Sequence, residues 1–347
     1  MPHGNTFTLT VMRIRSVISL ISLCIGFVFA RATDGSTAYN FLDVTSSSHI
    51  YGLGGVNISI IEDDINVIDQ NPALLGPEIE RQLGVDYMRY LGESNFAGVK
   101  YGMAAGDHGA WAAGIKYFGY GSMKSADETG NVTGTFSPKD ICFSASYAHD
   151  ITGYLRGGIT LKGIYSAYDA YSAFAIATDL GINYFDDERD LSLSFVVANL
   201  GGQVKRFNDT HDRLPVDVRL GFTKGLGSIP FRISITAWNL TKWKLPYVDV
   251  GDGTSESLEV KDSFASNLFR HLVFAAEYAP SDRLYIGIGY NYKTRTDMST
   301  YSRSFLSGFS ACAGINVNRF GVGVAIAQPH TGATTFMVNL NMRLYEF

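Results

Sequence analysis

Two groups of side chains have the types that chemistry needs. Arg270 and His271 stand side by side, with Lys242 upstream and Glu277 downstream. At the start of a strand such a set forms a polar cluster in a lumen or at a rim, and a structural ion network is its expected use. Glu62, Asp63 and Asp64 form an acidic run of hard oxygen ligands, the kind a divalent cation takes. Their order matches no calcium-binding loop, so a solvated turn is the plainer reading. The other histidines, His3, His49, His108, His149, His211 and His330, are scattered. No Gly-x-Ser-x-Gly elbow and no His-Glu-x-x-His pair occurs, and nothing brings Ser, His and an acid together. No catalytic, cofactor-binding or metal-ligating residue is therefore assigned, and no enzyme activity is expected. Of three cysteines, Cys24 falls in the leader. Cys142 and Cys312 could pair in an oxidising compartment, but two unpaired side chains on a wall are the expected state.

The elements that would carry these residues read as strands. Phe336, Val338, Leu340, Met342 and Leu344 alternate with Asn339, Asn341 and Arg343, a period of two. Leu284, Ile286, Ile288, Tyr290 and Tyr292 share one face. Arg283, Tyr285, Gly287, Gly289, Asn291 and Lys293 share the other. Phe231, Ile233, Ile235 and Ala237 oppose Arg232, Ser234 and Thr236. Leu191, Leu193, Phe195 and Val197 oppose Ser192 and Ser194. Charged residues make up 18% of the chain, against roughly 25% in soluble domains. Aromatics reach 13%, enough for interfacial girdles. The net charge of −5 leaves no footprint for nucleic acid.

About fourteen segments have the ~9–11 residues that a tilted membrane strand needs. They lie near Leu83–Leu91, Phe96–Ala104, Ala110–Gly119, Ile141–Ala148, Tyr154–Tyr165, Ala173–Phe185, Leu191–Asn199, Val216–Thr223, Phe231–Asn239, Arg270–Tyr278, Arg283–Lys293, Ser304–Val317, Phe320–Gln328 and Thr334–Tyr345. Every second connection is short, as at Gly106–Gly109, His149–Gly153 and Asn318–Arg319. Tyr120–Asp140, Leu200–Pro215 and Leu240–Phe269, of the other parity, are long. Short periplasmic turns and long outer loops are the asymmetry of bacterial barrels, and a soluble sandwich or propeller has no reason to keep it. An Arg or Lys on the lipid face near the midplane costs ~2–4 kcal/mol. Arg156, Lys162, Asp179, Asn183, Asp217, Arg219, Arg232, Glu277 and Asn291 are therefore assigned to the lumen.

Arg13 and Arg15 precede the apolar run Val17 to Phe29, the form of a cleaved export signal, with Ala30 or Ala32 before the cut. The run is shorter than the ~20 residues of a membrane anchor. The reading is an all-β transmembrane antiparallel barrel in the outer membrane: a signal over 1–32, a hatch or plug over 33–82, and the barrel over 83–347. Phe347 and Tyr345 fall out of phase with the last strand's apolar face, which asks for a bulge near Leu344.

The segment before the first strand carries Gly52, Gly54 and Gly55, then Asp63 and Asp64, then Asn71, Pro72 and Ala73. Asn71-Pro72 favours a turn or a helix start. Gly-Leu-Gly-Gly, an acidic pair and Asn-Pro-Ala-x-Leu together resemble the FadL-like barrels, in which this stretch forms a hatch inside fourteen strands. Leu214-Pro215-Val216-Asp217-Val218-Arg219-Leu220-Gly221, Pro230-Phe231-Arg232-Ile233-Ser234 and Asn239-Leu240-Thr241-Lys242-Trp243 resemble the PorQ-like barrels of the Bacteroidetes type IX secretion system. So do Arg270-His271 with Phe274 and Glu277-Tyr278, and Gly289-Tyr290-Asn291. Gly308-Phe309-Ser310 and Gly314-Ile315 are shared with the related PorV barrels. The resemblance implies a non-catalytic outer-membrane anchor for a surface attachment complex that processes secreted cargo. Its partners would be a surface protein of the PorZ type, with PorU and PorV, besides outer-membrane lipid. Trp243, Tyr247 and Phe264, in the longest loop, are candidate contacts for such a partner, since Trp and Tyr anchor interfaces. They equally suit a barrel's aromatic belt. The wider FadL-like class implies an alternative, a transporter of hydrophobic small molecules. That role needs a greasy pocket beside the hatch and a gap in the wall.

Overall fold

The computed structural model describes residues 38–126, 129, 131–207, 212–227, 229–249, 259–281, 283–297, 306–330 and 333–344. The expected leader, His211 and the final Tyr345 and Phe347 lie outside them.

The alternating segments form strands β1 (Gln82–Arg89), β2 (Asn95–Ala104), β3 (Gly109–Gly119), β4 (Met123–Ala126), β5 (Val132–Phe136), β6 (Lys139–Thr152), β7 (Leu155–Tyr168), β8 (Tyr171–Asp186) and β9 (Leu191–Lys205). β10 (Asp217–Gly225), β11 (Phe231–Ala237), β12 (Tyr247–Asp249), β13 (Glu259–Lys261), β14 (Leu272–Ser281), β15 (Leu284–Asn291), β16 (Phe309–Val317), β17 (Phe320–His330) and β18 (Ala333–Arg343) follow. Fourteen of them close a single antiparallel barrel, with β4–β5 and β12–β13 as separate hairpins in two long loops. Closure pairs the first barrel strand with the last: Val85 faces Leu340 and Tyr87 faces Val338. A closed wall leaves no backbone edge unpaired, the condition for standing in lipid. No helix among the described residues is long and apolar enough to cross a membrane; the strands do the crossing.

Each strand sorts its side chains by face. On β15, Leu284, Ile286 and Ile288 are exposed on the outside, whereas Tyr285 and Asn291 are buried. On β11, Phe231, Ile233 and Ile235 point out and Ser234 and Thr236 point in. On β18, Phe336 and Leu340 are outward and Asn339 and Asn341 are buried. In a soluble protein this arrangement would be inside out; around a membrane barrel it is the one that lipid stabilises.

Each of the fourteen expected segments holds a barrel strand, though the ends move: β16 begins only at Phe309, β11 stops at Ala237, and two ends are helical. Arg270 and His271 do not begin a strand. They end a helix, α2 (Phe264–His271), that runs directly into β14. Lys293 likewise lies on a short helix, α3 (Tyr292–Asp297), beyond the end of β15. Local polarity explains both: each segment has polar neighbours at helical spacing, so it leaves the two-residue period where the wall ends.

The lumen is filled by the chain before β1. It starts at the long-loop end, where the Ala38 amide donates to the Arg213 carbonyl. It descends through a 3-10 turn (Asn40–Asp43), helix α1 (Ser48–Gly52) and two more 3-10 turns (Ile65–Asp69 and Pro72–Leu74). It leaves at the short-turn end, where the Arg81 carbonyl accepts from Leu344. Ile50, Ile58, Ile65, Val67 and Leu75 are buried along it.

Candidate functional site

The hatch is capped by its own polar residues. Ser47 caps α1, Asp64 caps the turn at Ile65, and Asn71 caps the turn at Pro72. Each side-chain oxygen accepts a backbone amide that would otherwise be buried unpaired. Asn71 works twice, because its Nδ2 donates to the Ile58 carbonyl (2.9 Å) and to Ser194 Oγ on β9 (3.2 Å). The wall makes room with glycine. A Cβ on Gly289 would sit 2.1 Å from the Leu53 carbonyl carbon, and one on Gly158 2.4 Å from that of Pro72. Gly54 takes a φ of +100°, where other residues are strained.

The residues singled out in the acidic run part company. Glu62 meets His49, Asp64 binds Asn66 and Asn339, and the Asp63 carbonyl accepts from Gln82. Among the described residues no group of His, Cys, Asp and Glu converges as a metal site would. Arg270, His271, Glu277 and Lys242 do not form one cluster either. Both ring nitrogens of His271 engage backbone carbonyls, those of Trp238 (2.8 Å) and Trp243 (2.9 Å). Arg270 binds Thr296 and Asp297 and lies over the Tyr247 ring. Glu277 faces the lumen and binds His49 (3.1 Å) and Arg232 (3.4 Å). Cys142 and Cys312 are buried free thiols on β6 and β16, six strands apart around the ring.

Three buried ionic latches join hatch to wall. Asp69 takes Lys116 Nζ at 2.9 Å and Lys100 Nζ at 3.2 Å, so one carboxylate ties the hatch to β2 and β3. Burial alone would raise the Asp69 pKa, but the two ammoniums overrule it and hold the carboxyl well below its usual range. Arg219 on β10 donates to Asp43 Oδ1 (2.7 Å) and Gln70 Oε1 (3.0 Å) from the hatch, and to Asp217 Oδ2 (2.7 Å) beside it. His49 bridges Glu62 (2.8 Å) and Glu277 and stacks on Tyr285, with ring centres 3.7 Å apart. Burial would lower the His49 pKa, yet the two carboxylates raise it well above the ordinary value. Near the short-turn end Arg156 pairs with Glu78.

The lumen-facing residues expected from charge are all in place, but they are not the whole lining. Toward the long-loop end the inner surface turns apolar. Met88, Phe96 and Phe118 form a buried patch on β1, β2 and β3, with Tyr90 and Tyr120 packed against it. Phe118 lies 6.3 Å from Phe96, 5.8 Å from Tyr90 and 4.8 Å from Tyr120, ring centre to ring centre. The occupant is the hatch itself. Phe41 sits 6.4 Å from Phe118, with Tyr39 and Leu42 in the same cluster. Below it Leu42, Asp69, Lys116, Cys142, Thr160, Lys162 and Asp179 surround a cavity of about 10 Å³, the size of one water. These aromatic residues had a readable signal. Phe118 is in phase with Lys116, Phe96 with Lys100 and Met88 with Asp86, so a lumen assignment for the charges carries the aromatics with it.

No protein-family model matches the sequence, and no curated protein matches it. Solved structures do. A deltaS2S3 mutant of the TodX monoaromatic hydrocarbon channel overlays with a TM-score of 0.52 and 10% identity, covering 86% of this chain and 98% of that one. The P. putida toluene transporter TodX gives 0.50 and 12%, covering 86% and 97%. A deltaS2 mutant of TodX gives 0.51 and 12%, covering 85% and 96%. At such identities the likeness is one of fold alone.

Proposed function

We propose that the chain is an outer-membrane barrel that passes a small hydrophobic molecule through a lumen sealed by its hatch. The observation that carries this reading is the apolar patch of Met88, Phe96 and Phe118 beside the hatch, covered by Phe41 and Leu42. A site built for Phe and Leu side chains suits an aromatic or alkyl ligand, because apolar lining with few polar groups is what such ligands require. The fold likeness to hydrocarbon and toluene transporters favours this reading over an anchoring role. The test is binding of a fluorescent fatty acid and of toluene to the detergent-purified chain. Phe41→Ala with Leu42→Ala uncovers the patch and is expected to tighten binding. No saturable binding by either form contradicts the reading.

The second reading is the type IX role: an anchor holding a PorZ-type surface protein with PorU and PorV. Two observations favour it. The motifs from Leu214 to Trp243 resemble the PorQ-like barrels, and the latches at Asp69, Arg219 and His49 suit a permanent plug better than a door. Cross-linking in mild detergent followed by mass spectrometry separates the two. Recovery of a large exported surface protein supports the anchor; recovery of the barrel alone counts against it.

A further inference from the structure

Helix α2 is amphipathic in the wrong sense for water. Phe264, Ala265, Leu268 and Phe269 fall within an arc of about 140° at 100° per residue. That face is the exposed one: Phe264 is 69% and Phe269 50% exposed. The polar face is buried. Asn267 bonds the Leu245 amide (2.8 Å) and Asp262 (2.8 Å). His271 holds two carbonyls and Arg270 holds Asp297. Trp243, 43% exposed, lies 5.3 Å from Phe264 and extends the apolar face.

A helix that hides its polar residues and shows its aromatic ones has an apolar surrounding. What surrounds it follows from the chain's path. α2 ends at His271, and the next residue, Leu272, begins β14, whose Phe274 and Tyr278 lie on the outer face of the wall. Phe269 packs 6.3 Å from Tyr292, the residue directly after β15, and on that strand's outer face Tyr290 forms an aromatic pair with Phe309, 4.7 Å apart. The apolar surface of α2 is thus continuous with the lipid-facing wall at its long-loop rim. We infer that α2 and Trp243 are embedded in the outer leaflet, as an interfacial collar that fixes the height of the barrel in the membrane. Trp at the headgroup level and Phe or Leu below it are the residues that such surfaces use.

The test uses the full chain with Cys24→Ser in phosphatidylcholine vesicles, with a nitroxide at Ala265→Cys, Cys142 and Cys312 being buried. Ile288→Cys, on the lipid-facing side of β15, and Thr133→Cys, on the exposed β5 hairpin, serve as references. Collision rates with oxygen and with a water-soluble nickel chelate are compared. An oxygen-to-nickel ratio at Ala265 well above that of Thr133, and at or below that of Ile288, is expected. A ratio matching Thr133 overturns the inference and means that the face meets water and awaits a protein. Shielding from both reagents also overturns it, because a second copy then covers the helix. Retained heat-modifiable mobility shows that each labelled chain is folded.

Discussion

At the scale of single residues, the hatch is held by charges that have no water to return to. Removing one partner of a buried ion pair strands the other, which typically costs about 3–5 kcal/mol. Asp69→Asn leaves Lys116 with the Val44 carbonyl and Lys100 with Asp86 at 3.8 Å, neither of which replaces the lost charge at Asp69, so a loss toward the lower end of that range is expected in urea unfolding of the detergent-solubilised chain. An unchanged midpoint means that the latch contributes nothing. His49 gives a signed pH dependence. Its pKa is raised on folding, so its pairing with Glu62 and Glu277 is fully present below the ~6.5 of an unfolded histidine. That contribution is lost as pH rises through the raised folded value. Stability therefore falls from neutral pH into the alkaline range, and His49→Gln flattens that limb. Equal slopes for the two proteins would remove His49 from the account. None of these partnerships was legible beforehand. The acidic run at Glu62 reads as a unit, but turn geometry sends its members to different elements, and pairs such as His49 with Glu277 are set only by closure of the ring.

At the scale of elements, alternation made the wall legible. Where one face meets lipid and the other a packed lumen, a slip of one residue would expose every polar side chain to lipid, so the period is kept strictly. The helices at the rim were not legible as such, because His271 and Lys293 continue the polar phase of neighbouring strands up to the point where membrane constraint ends. The outer face predicts its own test. Ile288→Arg puts a guanidinium in lipid near mid-strand and is expected to destabilise the barrel by ~2–4 kcal/mol in vesicles. A neutral result would mean that β15 does not face lipid. The inner face predicts another. Gly158→Val drives a side chain into the Pro72 backbone. The hatch should then be cut by protease at concentrations that leave the original chain intact, while the barrel core survives. Equal resistance would mean that the hatch does not press on β7.

At the scale of the whole molecule, two systems share one lumen. Ionic latches tie the hatch to the wall between apolar contacts such as Ile65 and Leu75 against Ala110 and Ala112, and an aromatic zone under Phe41 and Phe118 lies near the long-loop end. Reading the charged lumen residues alone suggests a uniformly polar plug; following the same phase outward finds the aromatic zone. The segment from Ala38 to Arg81 closes the barrel. Conductance across a planar lipid bilayer tests this closure directly, comparing the full chain with one lacking residues 38–76, each refolded and checked for heat-modifiable mobility. No steps are expected from the full chain, and large, steady steps from the shortened one. Steady conductance by the full chain, or a folded shortened barrel that stays as tight, would contradict it.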